Sequence, residues 1–255
     1  MEGPFRYRLV SCAVFQRELS IALGRTRHLV DPEFLEIGLH ERPEKLRAAI
    51  QRRIDEISSP PGPPARPYDA ILLGYGLCGN GLSGIEARGI PLVIPRAHDC
   101  CTILLGSRAE FAARFGDSRS ASWSSAGYLE RGRAGFREAE GGRSEGMEKS
   151  YATLIEEYGE ENAAYIWESL HPDIDEGVLR FVELEETAHL GHADALRERA
   201  AREGKEFLLL RGSAKLLGAL VAGDWNPADF LLVPPGARIE ATWEDEVIFE
   251  ARSPG

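Results

Sequence analysis

Two short, unbroken apolar runs, Ile71-Leu-Leu73 and Pro91-Leu-Val-Ile94, constrain the fold of this 255-residue chain more than any other feature. Neither alternates apolar with polar residues as a half-buried strand does. Each fits a strand covered on both faces, the situation a parallel sheet provides. Strands are also expected at Tyr7 to Ala13 and Phe34 to Leu39. Between and after them, Phe15 to Leu23 reads as a short helix, and Pro43 opens a longer one on which Leu46, Ile50, Ile54 and Ile57 recur at helical spacing. Alternating strands and helices of this kind predict a layered α/β/α fold with a mostly parallel sheet. A short helical crossover is expected from Ser83 to Arg88.

The alternation resumes later, with strands at Val178 to Leu184, Phe207 to Leu210 and Phe230 to Val233. Helices are expected at His192 to Glu203 and Ala214 to Val221. An echo joins the two halves: Asp69-Ala-Ile-Leu-Leu-Gly74 resembles Asp229-Phe-Leu-Leu-Val233, each preceded by Lys-Leu on a helix. It suggests two similar Rossmann-like halves. The expected organisation is an N-terminal α/β half over residues 1–115 and an irregular Gly/Ser/Arg-rich segment over 116–147 in which Trp123 and Tyr128 are anchors. A C-terminal α/β half follows over 148–255, opening on a helix from Glu148 to Leu170.

The four cysteines are Cys12, Cys78, Cys100 and Cys101, and each falls at or just beyond the end of an expected strand. In open α/β sheets, ligands bind outside the carboxyl ends of the strands. Cys12, Cys78 and the group His98-Asp99-Cys100 could therefore meet there from three separate segments. Thiolates with imidazole suit zinc or an iron–sulfur centre. Ligands drawn singly from separate strands are unlike the paired C-x-x-C spacing of a structural zinc knuckle. Cys12, Cys78, Cys100 and His98 are thus candidate metal ligands, with His98 and Asp99 as candidate acid/base groups. Asp99 also fits an N-cap for the next helix, and Cys101 fits the apolar face of that helix.

Cys78 sits in Gly74-Tyr-Gly-Leu-Cys-Gly79, which matches the dinucleotide pattern G-x-G-x-x-G. That fingerprint needs a helix starting in the turn and an acidic residue at the end of the next strand. The next strand ends in Ile94-Pro95-Arg96 instead, so a phosphate cradle is disfavoured. Gly76, Gly79, Asn80 and Arg96 are then candidates for approaching a small ligand, the glycines by letting the backbone come close and Arg96 by meeting an anion. Further along, Glu185-Glu186-Thr187 with His189 and His192 could face the cysteines across a cleft.

A net charge of −11 argues against general nucleic-acid binding, which needs basic surface. No apolar run approaches the ~18 residues of a membrane span, and MEGPFRYRLV has no apolar signal region. A cytoplasmic protein with reduced thiols is expected.

Asp69-Ala-Ile-Leu-Leu-Gly-Tyr-Gly-Leu-Cys-Gly-Asn-Gly81 and Pro91-Leu-Val-Ile-Pro-Arg-Ala-His-Asp-Cys100 resemble the domain of unknown function 1638 (DUF1638) family. The similarity extends to Tyr158-Gly-Glu-Glu-Asn162 and to Gly223-Asp-Trp225 through Gly236. The resemblance implies single cysteines at the positions of Cys12, Cys78 and Cys100, with an apolar residue more usual where Cys101 stands. It also implies a setting in anaerobic one-carbon metabolism, beside corrinoid-dependent methyltransferase proteins. The expectation is a metal-binding protein, with zinc or an iron–sulfur cluster, acting on a small molecule in methyl or sulfur transfer. The alternatives are a metal-free thiol enzyme activated by His98 and an accessory protein of corrinoid methyltransferases.

Overall fold

The computed structural model describes residues 3–59, 62, 66–115, 123–132, 177–242 and 248–253. The expected helix from Glu148 to Leu170 lies outside them, as does the Tyr158 to Asn162 motif.

A five-stranded sheet forms from β1 (Arg6–Cys12), β2 (Leu29–Leu35), β3 (Ala70–Gly74), β4 (Leu92–Pro95) and β8 (Phe230–Val233), in the order β2-β1-β3-β4-β8. The first four are parallel and β8 runs antiparallel to β4. Every residue of β3 and β4 is buried, as their unbroken apolar runs require. Alternate side chains sort onto two cores. Leu9, Leu72 and Val93 face α1 (Gln16–Leu23), α3 (Cys100–Leu105) and α7 (Lys215–Ala222), while Val10, Ile71, Leu73 and Ile94 face α2 (Pro43–Ser58). Leu46, Ile50 and Ile54 of α2 are fully buried, each contributing on the order of 1.5–3 kcal/mol of apolar burial.

A second, three-stranded parallel sheet lies beyond the helix layer. It orders β5 (Ser124–Ser125), β6 (Val178–Glu183) and β7 (Glu206–Arg211), with β6 central. Val182, Leu184 and Leu210 join the core shared with α1, α3 and α7, while Phe181 packs with Ala193 and Leu196 of α6 (His192–Glu203). A mostly parallel sheet and a parallel one thus share one helix layer. Trp123 and Tyr128 are buried as anticipated, edge to face at 5.4 Å, and within the described residues 123–132 of their segment β5 leads into α5 (Ala126–Leu129). The remaining elements are α4 (Arg108–Phe115) and an antiparallel pair of β9 (Arg238–Ala241) and β10 (Phe249–Arg252).

Three local expectations are corrected. The second strand is Leu29–Leu35, earlier than Phe34 to Leu39, and it carries Pro32 because it is the sheet edge, where a missing N–H costs no ladder bond. Residues 83–88 form turns and an isolated bridge, not a helix. Their backbone is committed to β9: the Gly84 N–H donates to the Ile239 carbonyl and the Ile239 N–H to the Ile85 carbonyl, both at 2.8 Å. Finally, β8 completes the first sheet instead of standing apart with the C-terminal strands, since Leu92 and Val93 pair with Val233 and Leu232. Among the described residues, no helix is long and apolar enough to cross a membrane.

Candidate functional site

The strand order creates the site. From β1 the chain crosses to β2 on one side, then returns past β1 to β3 on the other, so the C-terminal ends of β1 and β3 flank a topological switch point. Open α/β sheets bind ligands at such a crevice. Cys12 is the last residue of β1, and Cys78 follows β3 by four positions.

Backbone pairing continues past the strands and carries Cys78 toward Cys100. The Leu77 N–H donates to the Ala97 carbonyl at 2.8 Å and the Cys78 N–H to the His98 carbonyl at 2.9 Å. Gly76 makes the approach possible, because a Cβ there would stand 2.7 Å from the Asp99 nitrogen and 2.9 Å from the Ala97 oxygen. The chain then turns through three successive left-handed residues, Cys78 (φ 48°), Gly79 (φ 62°) and Asn80 (φ 67°), closed by the Gly81 N–H on the Cys78 carbonyl at 3.1 Å. Left-handed backbone costs a non-glycine residue about 1–2 kcal/mol and is found where surrounding structure enforces it, often at functional sites. No helix starts in this turn, so the arrangement that would hold a phosphate is missing.

Cys12, Cys78 and Cys100 line one small cavity with Phe15, Leu39, Leu46, Tyr75 and Gly76, and with Glu36 and His40 from the segment after β2. The volume open to the centre of a water molecule is about 10 Å³, the room of about one water. Cys12 and Cys78 are half-buried and Cys100 is buried, all three as free cysteines. Burial, then the neighbouring Cys12 and Asp99, push the Cys78 thiol far above its ordinary range. Burial first, then Asp99, Cys78 and Cys12, do the same to Cys100. The Cys78 and Cys100 thiols are thus both held toward their uncharged form; each feels Cys12, and Cys100 also feels Cys78. Among the described residues, no three His, Cys, Asp or Glu side chains already stand as a ligand set for a metal ion.

Two tyrosines flank the thiols. The Tyr128 hydroxyl lies 3.5 Å from the Cys100 sulfur, while the buried Tyr75 hydroxyl has no hydrogen-bond partner among the described residues. Burial raises Tyr75 well above the ordinary phenol range, with further contributions from Cys12, Cys78 and Glu33.

Other candidates stand elsewhere. His98 is exposed and lies outside the cavity lining, where its carbonyl anchors Cys78. Asp99 is the N-cap of α3, its Oδ1 accepting from the Thr102 N–H at 2.8 Å and the Thr102 hydroxyl at 2.9 Å. Gly79 and Asn80 are exposed at the tip of the turn, and the Asn80 carbonyl accepts from Arg47 at 3.0 Å. Arg96 donates to the Pro227 and Phe249 carbonyls at 3.0 and 2.7 Å, an anchoring role. Cys101 is fully buried in the core, as anticipated for a packing residue. Thr187 is buried on the Leu184 carbonyl, His189 borders a groove with Arg17 and Glu130, and His192 lies 3.5 Å from Glu130. None of these three lines the cysteine cavity. Sequence reasoning passed over Tyr75 and His40. Tyr75 lies inside the glycine turn, and His40 immediately follows the residue at which the second strand was expected to end.

Residues 34–189 match a family described as "Protein of unknown function (DUF1638)". The chain belongs to the DUF1638 family. The match takes in His40, Tyr75, Cys78, Cys100 and Tyr128, and Cys12 precedes it. No curated protein and no solved structure matches this DUF1638 chain.

Proposed function

We propose that Cys12, Cys78 and Cys100 bind a single thiophilic metal ion of the zinc type, with a fourth position left for a small substrate. The observation that carries this reading is the convergence of three thiols, from three separate segments, on one cavity at the switch point of the sheet. The donor chemistry fits: three sulfurs suit a soft or borderline cation. Because the thiols line the cavity without already forming a ligand set, loading has to draw the three sulfurs together.

Charge favours a metal over a free thiol nucleophile. The attacking form of cysteine is the thiolate, which low-pKa sites stabilise with a cation or a helix N-terminus. Here burial works the other way, the Asp99 carboxylate raises Cys100 further although that cysteine opens α3, and neither lysine nor arginine lines the cavity. A bound cation would supply the missing positive charge and deprotonate the thiols it ligates. Size favours one ion over a cubane cluster, since the free space of about 10 Å³ holds roughly one water-sized group. Chemistry of this kind suits sulfur or methyl transfer in a reducing compartment such as the cytoplasm, including the corrinoid-linked setting that the family resemblance implies.

Anaerobic purification followed by metal analysis tests the reading. One zinc or similar ion per chain is expected. Serine at Cys12, Cys78 or Cys100 should abolish uptake, while serine at Cys101 should leave it. Iron with acid-labile sulfide would replace the single-ion reading with a cluster, and failure to take up any thiophilic metal would return the site to metal-free thiol chemistry, with His40 as the imidazole in the cavity wall.

A further inference from the structure

A groove of about 520 Å³ opens between α1, the end of α5 and the 3-10 helix Glu185–Leu190, and it shares no lining residue with the cysteine cavity. Its walls are the segments that leave the C-terminal ends of three parallel strands: α1 follows β1, α5 follows β5, and the 3-10 helix follows β6. Ligands of open α/β sheets gather outside such ends, and the volume is that of a small-molecule site.

The charges in the lining select the ligand. Arg17 grips Glu130 with two donors, Nε to Oε2 at 3.0 Å and Nη2 to Oε1 at 2.6 Å. Arg131 donates from Nη1 to the Gly127 carbonyl and from Nη2 to Oε1 of Gln16. These bonds hold both guanidinium groups in place, yet leave Nη1 of Arg17 and Nε of Arg131 without a partner among the described residues. A guanidinium carries five N–H donors, so each has donors left for a further acceptor. Glu130 is the one carboxylate among the described lining residues, and it is already shared between Arg17 and His192. Glu18, 2% exposed on the same helix as Arg17, feels Glu130, Arg17 and Arg131; burial first of all raises its pKa to about 7, which limits the negative charge beneath the groove. In a chain of net charge −11 this is a local concentration of positive charge, with the exposed His189 in the facing wall. We propose that the groove binds a small molecule through an oxyanion group, phosphate or carboxylate, held by the guanidinium groups of Arg17 and Arg131. Both oxyanions match the planar fork of arginine. The site stands whether or not the cysteines hold a metal.

The test is calorimetric titration of the full chain at low ionic strength, with inorganic pyrophosphate and separately with citrate. Saturable binding of at least one is expected, weakened by added sodium chloride, and the anion that binds tells phosphate from carboxylate recognition. Arg17→Gln and Arg131→Gln should each lower the affinity about tenfold, the effect of one lost charge-assisted hydrogen bond. Arg25→Gln removes the same charge just beyond the end of α1, outside the groove, and should leave the affinity unchanged. The Arg17 side chain is 43% exposed, but its loss also breaks the pair with Glu130. Arg131→Lys therefore serves as a second variant that keeps the charge without the fork, and weaker binding in it supports recognition by the guanidinium. Absence of saturable binding with both anions would overturn the proposal. So would an affinity that falls as far in Arg25→Gln as in Arg131→Gln, since binding would then be general attraction to positive surface.

Discussion

The Tyr128 hydroxyl lies 3.5 Å from the sulfur of Cys100, and both side chains are buried. This contact links α5, next to the second sheet, to the cysteine at the start of α3. It also opposes the effect of burial by drawing the Cys100 thiol back toward ionisation. Tyr128→Phe should lower stability by about 1 kcal/mol, the usual net value of one hydrogen bond. Urea denaturation checks this, and Cys100 in the variant should also need a higher pH for alkylation by iodoacetamide. Unchanged stability together with an unchanged alkylation profile would show that the contact carries no energy.

Glu18 on α1 is 2% exposed, and its Oε2 has no hydrogen-bond partner among the described residues. Burial raises its pKa from 4.5 to about 7. The folded state therefore holds this proton more tightly than the unfolded state. Stability from this group is fully present below pH 4.5, declines as the pH rises, and is lost above about pH 7. The whole shift corresponds to roughly 3 kcal/mol. Glu18→Gln should gain stability of that order at pH 8 and little at pH 4, as measured by urea denaturation at both values.

Cys78 holds a left-handed backbone with φ 48°. Cys78→Ala keeps the Cβ and the strain, and Cys78→Gly removes both. The glycine variant should be more stable than the alanine variant by about 1 kcal/mol, and neither should take up metal. Equal stabilities would mean that the turn is unstrained.

Asp99 caps α3 through two hydrogen bonds to Thr102. Asp99→Ala should cost about 1 kcal/mol and Asp99→Asn much less. If Asp99 acts only as a cap, the asparagine variant will load metal as the native chain does. Loss of loading in a stable Asp99→Asn protein would give the carboxylate a role at the site.

Several elements were legible because their signals are local. Burial on both faces shows as an unbroken apolar run in β3 and β4, and one-sided burial as the four-residue spacing of Leu46, Ile50 and Ile54 on α2. The helix His192–Glu203 and the strand Phe230–Val233 fell where expected. The edge strand Leu29–Leu35 was displaced because it carries no such run, and residues 83–88 were misread because their backbone bonds go to β9, about 150 positions away.

The sequence by itself determined the α/β class, the parallel strands, the family, and the fact that cysteines stand at strand ends. These follow from local periodicity and from residues within a few positions of one another. Only the tertiary structure decided which groups meet. It set His98 outside the cavity and His40 in its wall, gave Asp99 to the helix cap, and aimed Tyr128 at Cys100 while leaving Tyr75 without a partner. The reason is geometric. Meetings among residues 12, 40, 75, 78 and 100 depend on the β2-β1-β3-β4 order and on the continued pairing of residues 77 and 78 with 97 and 98, and no local pattern along the chain encodes either.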